Sequence, residues 1–390
     1  MLRKIEIENF FSIKERQVLN LTIAANATDP DNRFAEPVVG SGERIPRVVT
    51  LYGANASGKT TVLKAMVFLR DFLLESHARG EAWISPFSSL ETGLAPSRFA
   101  IEFDWEYSPD QGRKVFRYEL EFEGTSKMVS REALFYWPAK RMRKLFERTQ
   151  KGIDAGPDFH LPKNDSVRAK VLPTASVIAI LSQFNYPWAV RINEAMKAIF
   201  SNVTIRGKAT LDDRPILDLY AKGGPQLDAL NHEIRLLDLG IEAVQSIDTT
   251  RGKGLSFVHK GLKLPIDYAF ESQGTRGFCV IFPFLWGPLT KGGIAVLDEF
   301  DNDIHSLLLP EIIRKFQDPE TNPLNAQLII SCHNATLLEH LTKEEVVLTE
   351  KDDQGRTKVY RLADVHGVRR DENLYGKYLM GAYGAVPRVA

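Results

Sequence analysis

The sequence predicts an α/β fold with mixed antiparallel and parallel sheets and an inserted helical region. Three observations predict it. Near the N-terminus, an apolar strand at 49–52 runs into a glycine-rich loop and then into a helix pattern at 61–69. Alternating apolar and polar residues between 98 and 137 are typical of antiparallel strands. After residue 266, helices and apolar strands alternate, and that order is typical of a parallel sheet.

The composition is that of a globular protein with a sizeable core. The chain has 390 residues, of which 44% are hydrophobic and 26% are charged. Lys plus Arg and Asp plus Glu number 50 each, so the overall charge favours neither nucleic acid nor a membrane surface as a partner. No run approaches the roughly 20 apolar residues that span a bilayer, and the N-terminus is unlike a secretion signal. We therefore expect a cytoplasmic protein with no membrane partner. Cys279 and Cys332 suggest neither zinc nor a disulfide.

A first lobe is expected over residues 1–155. A polar loop at 26–46 leads to the strand that precedes the glycine-rich loop. The strand patterns around that strand lie at 4–8, 17–23, 98–105, 114–123 and 127–137.

A helical insertion or lid is expected over residues 156–245. Its helix patterns lie at 166–171, 175–183, 187–200 and 226–239, with breaks at Pro173, Pro187 and 223–225. A second interpretation, a helical cap that completes the core, stays open.

A second lobe is expected over residues 246–390. It opens with a hairpin of 255–260 and 262–266, followed by a helix, a buried strand at 294–297, and further alternation of helix and strand. The parallel strands of this lobe should bring their carboxyl ends to the edge where such sheets bind ligands.

The glycine-rich loop has the pattern GxxxxGK[ST] between a strand and a helix, which is the context that builds a phosphate cradle. Loop N–H groups and the helix N-terminus converge on phosphates, Lys59 adds a positive charge, and the Thr60 hydroxyl can ligate Mg²⁺. The predicted cofactor-binding residues here are Gly53, Asn55, Ser57, Gly58, Lys59, Thr60 and Thr61. The pattern indicates binding of a nucleoside triphosphate; the alternative is an ordinary glycine-rich turn before a helix.

An acidic pair, Asp298 and Glu299, ends the buried strand at 294–297. Asp298 suits Mg²⁺ coordination together with Thr60, and Glu299 could accept a proton from attacking water. The alternative interpretation is an acidic helix start, with Glu299 and Asp301 near the next helix N-terminus.

Two further features narrow the site. Ser272 and Gly274 open a helix, so their backbone N–H groups and the Ser272 hydroxyl offer a second phosphate-binding helix end. His333 follows the apolar strand at 327–332, where it can contact a γ-phosphate or orient water. Each of these two features is weak evidence alone. The prediction of a nucleotide site rests on the order and spacing of the whole set of motifs.

Taken together, these motifs resemble those of ABC-type ATPases of the soluble branch that includes the SMC and recombination-repair proteins. The first loop matches the family form GxNxSGK[ST][ST], Ser272–Thr275 stands where the signature loop belongs, and His333 is the histidine switch. The resemblance implies the ABC P-loop fold, ATP and Mg²⁺ as ligands, and Glu299 and His333 as catalytic residues. The sequence departs from the family pattern at three places. The signature loop is degenerate, the D-loop at 301–305 has Ile304-His305 where the family usually has Leu-Asp, and Gln111 is only a candidate for the Q-loop glutamine.

The motif variants resemble a narrower prokaryotic family. ESxGTR at the signature, DExDxxxH after the acidic motif and the tail at 378–387 are similar to the RloA-type ATPases of abortive-infection and restriction-linked operons and to the AriA-type ATPase of the PARIS anti-phage system. Nucleases of the overcoming-lysogenization-defect type are more distant relatives. The resemblance implies a head-to-tail homodimer, or a higher homo-oligomer, with ATP sandwiched between copies. It also implies a phage trigger and a separate toxic effector, expected to be a nuclease.

Other functions stay open at this point: an SMC-like ATPase of DNA repair or maintenance, and a scaffold stabilised by ATP with little turnover. The chain also has a basic run at 140–144, with Arg148 and Lys151 nearby. Three interpretations of this run stay open: contact with nucleic acid, a solvated strand face, or a surface that docks an effector. Phe10 and Phe11 are expected in the core rather than against an adenine.

Overall fold

The computed structural model describes residues 1–79, 84–87, 95–108, 112–124, 126–161, 171–208, 213–236, 240–249, 252–302, 304, 306 and 308–387. The strands are β1 (Leu2–Glu8), β2 (Gln17–Asn20), β3 (Phe34–Ala35), β4 (Ile45–Pro46), β5 (Val48–Tyr52), β6 (Ser97–Ser108), β7 (Gly112–Phe122), β8 (Val129–Trp137), β9 (Arg143–Thr149), β10 (Gly152–Ala155), β11 (Ile199–Ser201), β12 (Val203–Thr204), β13 (Gly207–Lys208), β14 (Ile241–Thr249), β15 (Gly252–His259), β16 (Ile266–Asp267), β17 (Ile294–Leu297), β18 (Gln327–Ser331), β19 (Val346–Lys351) and β20 (Thr357–Arg361). The α-helices are α1 (Lys59–Arg79), α2 (Val177–Ser182), α3 (Pro187–Lys197), α4 (Asp213–Ala221), α5 (Pro225–Leu236), α6 (Gln273–Lys291), α7 (Leu309–Gln317) and α8 (Leu374–Leu379). Short 3₁₀ helices cover Tyr268–Phe270, Ala335–His340, Lys343–Glu345 and Leu362–Asp364.

The first large sheet is antiparallel and has seven strands in the order β10-β9-β8-β7-β6-β1-β2. Alternation along β1 places Ile5 and Ile7 in the core and leaves Lys4 partly exposed on the other face. Helix α1 packs against the same apolar face, where Val62, Leu63 and other side chains of the helix are fully buried. This sheet therefore holds one side of the helix that begins at Lys59.

The second large sheet has six strands in the order β11-β17-β18-β5-β19-β20, and all its pairs are parallel except β19 with β20. Strands β5, β17 and β18 are buried along their whole length, as expected for parallel strands covered on both faces. The two large sheets confirm the predicted mixture of antiparallel and parallel pairing. The carboxyl ends of β5, β17 and β18 lie side by side, which brings their following loops together.

The helical region divides between two cores. Helices α2 and α3 pack against α1 and belong to the core under the antiparallel sheet. Helices α4 and α5 pack against α6 and the β14–β15 hairpin, in the other core. The division into 1–155, 156–245 and 246–390 stays a prediction.

Several expected elements differ in the structure. The main partner of β15 is β14, whereas β16 contributes only two paired residues, so the predicted hairpin partner at 262–266 was largely wrong. Strands β9 and β10 and helix α4 were not predicted. Most of the predicted helix at 166–171 lies outside the described residues.

Two further observations concern the chain as a whole. None of the helices that the structure describes combines the length and the apolar character needed to cross a bilayer. Cys279 and Cys332 are both buried and are not bonded to each other.

Candidate functional site

The phosphate loop joins β5 to α1, and two of its glycines are required by close contacts. A Cβ added to Gly53 (φ +156°) would lie 2.3 Å from the Thr349 carbonyl oxygen. A Cβ added to Gly58 (φ +112°) would lie 2.3 Å from Thr357 Oγ1. Real Cβ atoms do not approach so closely, so the β19–β20 hairpin fits against the loop only because both positions are glycine.

A cluster of hydroxyl groups fixes the back of this loop. Ser57 Oγ and Thr349 Oγ1 lie 2.6 Å apart, and Thr357 Oγ1 lies 2.9 Å from the Ser57 carbonyl oxygen. Ser12 Oγ lies 2.8 Å from Thr357 Oγ1 and 3.0 Å from Thr61 Oγ1. The Ser57 and Thr61 hydroxyls, both predicted to bind the cofactor, thus bond within the protein and hold the loop in shape.

Lys59 is buried at the first position of α1, with 6% of its surface exposed. Its Nζ donates hydrogen bonds to the carbonyl oxygens of Gly53 at 2.8 Å and Ala54 at 3.2 Å. Burial lowers the pKa of Lys59, and the nearby carboxylates, Asp298 foremost, act in the opposite direction. An anionic phosphate in the loop would favour the charged ammonium further.

Thr60 and Asp298, the predicted metal pair, are in direct contact. Thr60 Oγ1 donates to Asp298 Oδ2 at 2.8 Å, and Ser331 Oγ donates to the other carboxylate oxygen. The backbone of Asp298 is held by buried Asn202, which accepts from the Asp298 N–H at 2.8 Å and donates to its carbonyl at 3.1 Å. A hydroxyl and a carboxylate converging beside a phosphate loop are the oxygen donors that Mg²⁺ prefers, so these residues fit the metal.

Glu299 has a left-handed backbone with φ +48°. Its N–H donates to Ser331 Oγ at 2.8 Å, and its carboxylate accepts from Asn302 Nδ2 at 3.0 Å. The next helix described, α7, begins only at Leu309, so the interpretation of Glu299 as part of an acidic helix start was wrong. The side chain is instead held at the edge of a cavity that the phosphate loop also lines.

Asp301 also differs from the helix-start interpretation. Its Oδ2 accepts from the backbone N–H groups of His333 at 2.9 Å and Asn334 at 2.7 Å. The loop after β17 therefore anchors the loop after β18, which carries the exposed His333. Asp303 and His305 of the predicted D-loop lie outside the described residues, as does Gln111.

These loops surround one cavity of about 980 Å³. The predicted residues in its wall are Asn55, Ser57, Gly58, Lys59, Thr60, Thr61, Asp298, Glu299 and His333. Gly53 contacts Lys59 through its carbonyl but is not itself part of the wall. Residues that sequence reasoning did not assign to the site complete the wall, among them Phe11, Phe87 and Lys351.

Phe10 and Phe11, expected together in the core, occupy different places. Phe10 is fully buried, as predicted. Phe11 has φ +49° and is half-buried, so that its ring borders the core on one side and the cavity on the other. The Lys64 ammonium lies 4.4 Å from the centre of the Phe11 ring. The expected packing of Phe11 against the core is confirmed, and the tight turn after β1 also leaves part of its ring in the cavity wall.

Ser272 and Gly274 stand apart from this cavity. Ser272 caps α6: its Oγ accepts from the Thr275 N–H at 3.1 Å and lies 2.8 Å from Thr275 Oγ1. Ser272, Gln273 and Gly274 are exposed, and a Cβ added to Gly274 would meet nothing within 4 Å. Neither Ser272 nor Gly274 lines the cavity around Lys59.

The basic run does not form one free surface. Arg148 is buried, and its guanidinium donates to two backbone carbonyl oxygens just before α2, at 2.6 Å and 2.9 Å. Lys144 pairs with Asp154, and Arg143 pairs with Asp158. Including Arg148 in a nucleic-acid surface was therefore wrong, because this side chain joins β9 to the start of α2.

Similarities to known proteins identify the family and the fold of this chain. Residues 48–339 match the family described as "AAA domain, putative AbiEii toxin, Type IV TA system". The solved structure of an SMC head bound to the C-winged helix domain of ScpA is similar, with 13% identity over 92% of this chain and 97% of that chain, and a TM-score of 0.50. The SMC head domain from Thermotoga maritima has 13% identity over 92% of this chain and 98% of its own, with a TM-score of 0.42. No curated protein matches the sequence. The first likeness shows an SMC-head-like α/β fold.

Proposed function

The chain belongs to this family of AAA domains, and from that premise we propose that it binds ATP with Mg²⁺ in the cavity around Lys59 and hydrolyses it slowly. The observation that carries the proposal is the contact of 2.8 Å between Thr60 Oγ1 and Asp298 Oδ2. These residues are 238 positions apart in sequence, and the fold joins them beside the phosphate loop.

The polar side chains that the motifs bring to the cavity each have a role in this proposal. Lys59 and the loop N–H groups hold the phosphates, while Thr60 and Asp298 hold Mg²⁺. The metal would neutralise charge on the phosphates. Glu299, steadied by Asn302, orients water and accepts its proton, and the neighbouring His333 contacts the γ-phosphate.

The exposed start of α6 supports a second part of the proposal, a head-to-tail homodimer or higher homo-oligomer. Ser272 and Gly274 are available at the surface and absent from the wall around Lys59 of their own chain. A second copy would bring its Ser272 to the open side of the nucleotide. ATP would then stabilise the closed assembly, and hydrolysis would reopen it.

We further propose that this cycle regulates a separate toxic effector, a nuclease, in bacterial phage defence. The description of the matched family names a toxin and a type IV toxin–antitoxin system, which motivates a role in such a system and names no separate effector. Expression with and without the neighbouring genes tests it by phage plating. Protection against phage should require a neighbouring gene. Full protection by this chain alone would contradict the proposal of a separate effector.

Metal dependence tests the enzymatic part. ATP turnover should require Mg²⁺ and stop on chelation, and Asp298→Asn should lower turnover about a hundredfold through loss of a metal ligand. Asp364→Asn, at an exposed carboxylate, is the matched control and should leave turnover unchanged. Undiminished turnover in Asp298→Asn would contradict the assignment.

A further inference from the structure

A second cavity, of about 660 Å³, lies at one end of the antiparallel sheet and shares no lining residue with the cavity around Lys59. Its walls come from β1, the end of β2, β6, β7, the end of β8 with the residues that follow it, and the loop at 38–43. The charged residues in the wall are Arg3, Lys4, Lys114, Lys140, Glu43 and Glu102.

The acidic groups of this cavity are neutralised, and two of its basic groups are not. Glu43 pairs with Arg3, and Glu102 accepts from an arginine of β7 at 2.6 Å. Lys4 pairs with a glutamate of its own strand at 2.7 Å. Within the described part of the chain, neither Lys114 nor Lys140 has an ion pair or hydrogen bond through its side chain. The wall thus offers two uncompensated ammonium groups.

Arg3 supplies an independent observation. Its side chain is 4% exposed, and its Nη1 has no hydrogen-bond partner among the described residues. A guanidinium stays charged in proteins, and a buried donor without an acceptor is costly. Arg3 lines the cavity, so an anion bound there would lie near its positive charge.

The apolar part of the cavity wall indicates which chemical group is attached to the anion. Trp137 is half-buried in the wall, beside Val38 and Val115. Indole rings stack on nucleobases whatever the base. We propose that this cavity binds a phosphorylated nucleoside, either a free mononucleotide or the 5′ end of a single strand. The phosphate lies at Arg3 and the two lysines, and the base lies against Trp137.

Three probes test the proposal on the full chain: 5′-phosphorylated tetrathymidylate, the same oligonucleotide with a 5′-hydroxyl, and thymidine 5′-monophosphate. Binding is followed by tryptophan fluorescence, with Trp137→Phe identifying the signal of Trp137. Lys114→Ala/Lys140→Ala should weaken binding of the phosphorylated probes about tenfold, since two charge-assisted contacts are lost. Arg3 is buried, so the test uses the double substitution of Lys114 and Lys140 rather than Arg3→Met.

Lys197→Ala/Lys291→Ala removes the same charge from exposed lysines elsewhere and should change affinity less than about twofold. Tighter binding of the phosphorylated oligonucleotide than of the monophosphate would identify a strand end, and equal binding would identify a free nucleotide. Equal affinity of both double variants, or no preference for the phosphorylated oligonucleotide over its 5′-hydroxyl form, would overturn the proposal.

Discussion

The starts of α1 and α6 are both candidate phosphate-binding helix ends, but they differ in what surrounds them. At α1, Lys59 is buried among the loops after β5, β17 and β18. At α6, Ser272 and Gly274 face solvent, and among the described residues the Ser272 hydroxyl bonds only Thr275 of its own helix. The first, the enclosed site, is built from loops of a single chain and is open on one side. The second meets no other phosphate-binding element among the described residues of its own chain. The difference supports a division of labour in which α1 binds nucleotide and α6 serves a neighbouring copy.

The largest effect is expected at the enclosed site. Glu299→Gln should lower ATP turnover about 10²–10³-fold, because the general base is lost, while ATP affinity changes little. Steady-state turnover and equilibrium binding measure the two quantities separately. Thr290→Gln, at an exposed position of α6, is a control that should alter neither. Undiminished turnover in Glu299→Gln would contradict the assignment of Glu299 as the general base of the site around Lys59.

Lys59→Ala should weaken ATP binding about a hundredfold, through loss of a charged hydrogen-bond donor of the enclosed site. Lys197→Ala, at an exposed lysine, is the matched control. Titration with a fluorescent ATP analogue measures both. Equal affinities in the two variants would show that the nucleotide lies elsewhere.

About half of the residues that meet at the enclosed cavity could be picked out from the sequence, because their motifs are local. The phosphate loop is contiguous, and Asp298 and His333 each follow a recognisable apolar strand. The residues that support them could not be found in this way. Asn202, Thr349 and Thr357 reach the site through tertiary packing, and nothing in their neighbouring residues signals a role.

The fold was predicted less completely than the motifs. β14 alternates apolar and polar residues only in part, and β9 carries a basic run that suggested a surface. The pairing of β9 with β8 depends on contacts that the local pattern does not encode. The fold class followed from the order of elements, whereas strand partners depended on packing.

Ser272→Arg should lower turnover at least about tenfold, because a bulky cation would obstruct the approach of a second copy. ATP affinity should fall much less than in Lys59→Ala, because the phosphate loop of the same chain stays intact while the contribution of the closed assembly is lost. Thr290→Arg, at the other end of the same helix, is the matched control. Turnover is measured at several protein concentrations, so that weakened association is visible. Normal turnover in Ser272→Arg would contradict the proposal that α6 contributes to the nucleotide site of a neighbouring copy.

The smallest effect is expected at Phe11. Phe11→Ala should weaken ATP binding about fivefold, since a base can stack on the ring, and should leave binding of inorganic triphosphate unchanged. Calorimetric titration with both ligands measures the difference. An equal loss for both ligands would indicate that Phe11 shapes the phosphate loop instead.

The most direct test of the central claim mixes two impaired variants, Lys59→Ala and Ser272→Arg, at a protein concentration high enough for the two chains to associate. In a head-to-tail dimer, about half of the assemblies would be mixed and each would hold one intact site, so turnover should return to about a quarter of the wild-type value. Turnover that stays at the level of the separate variants would contradict completion of the site by a second copy.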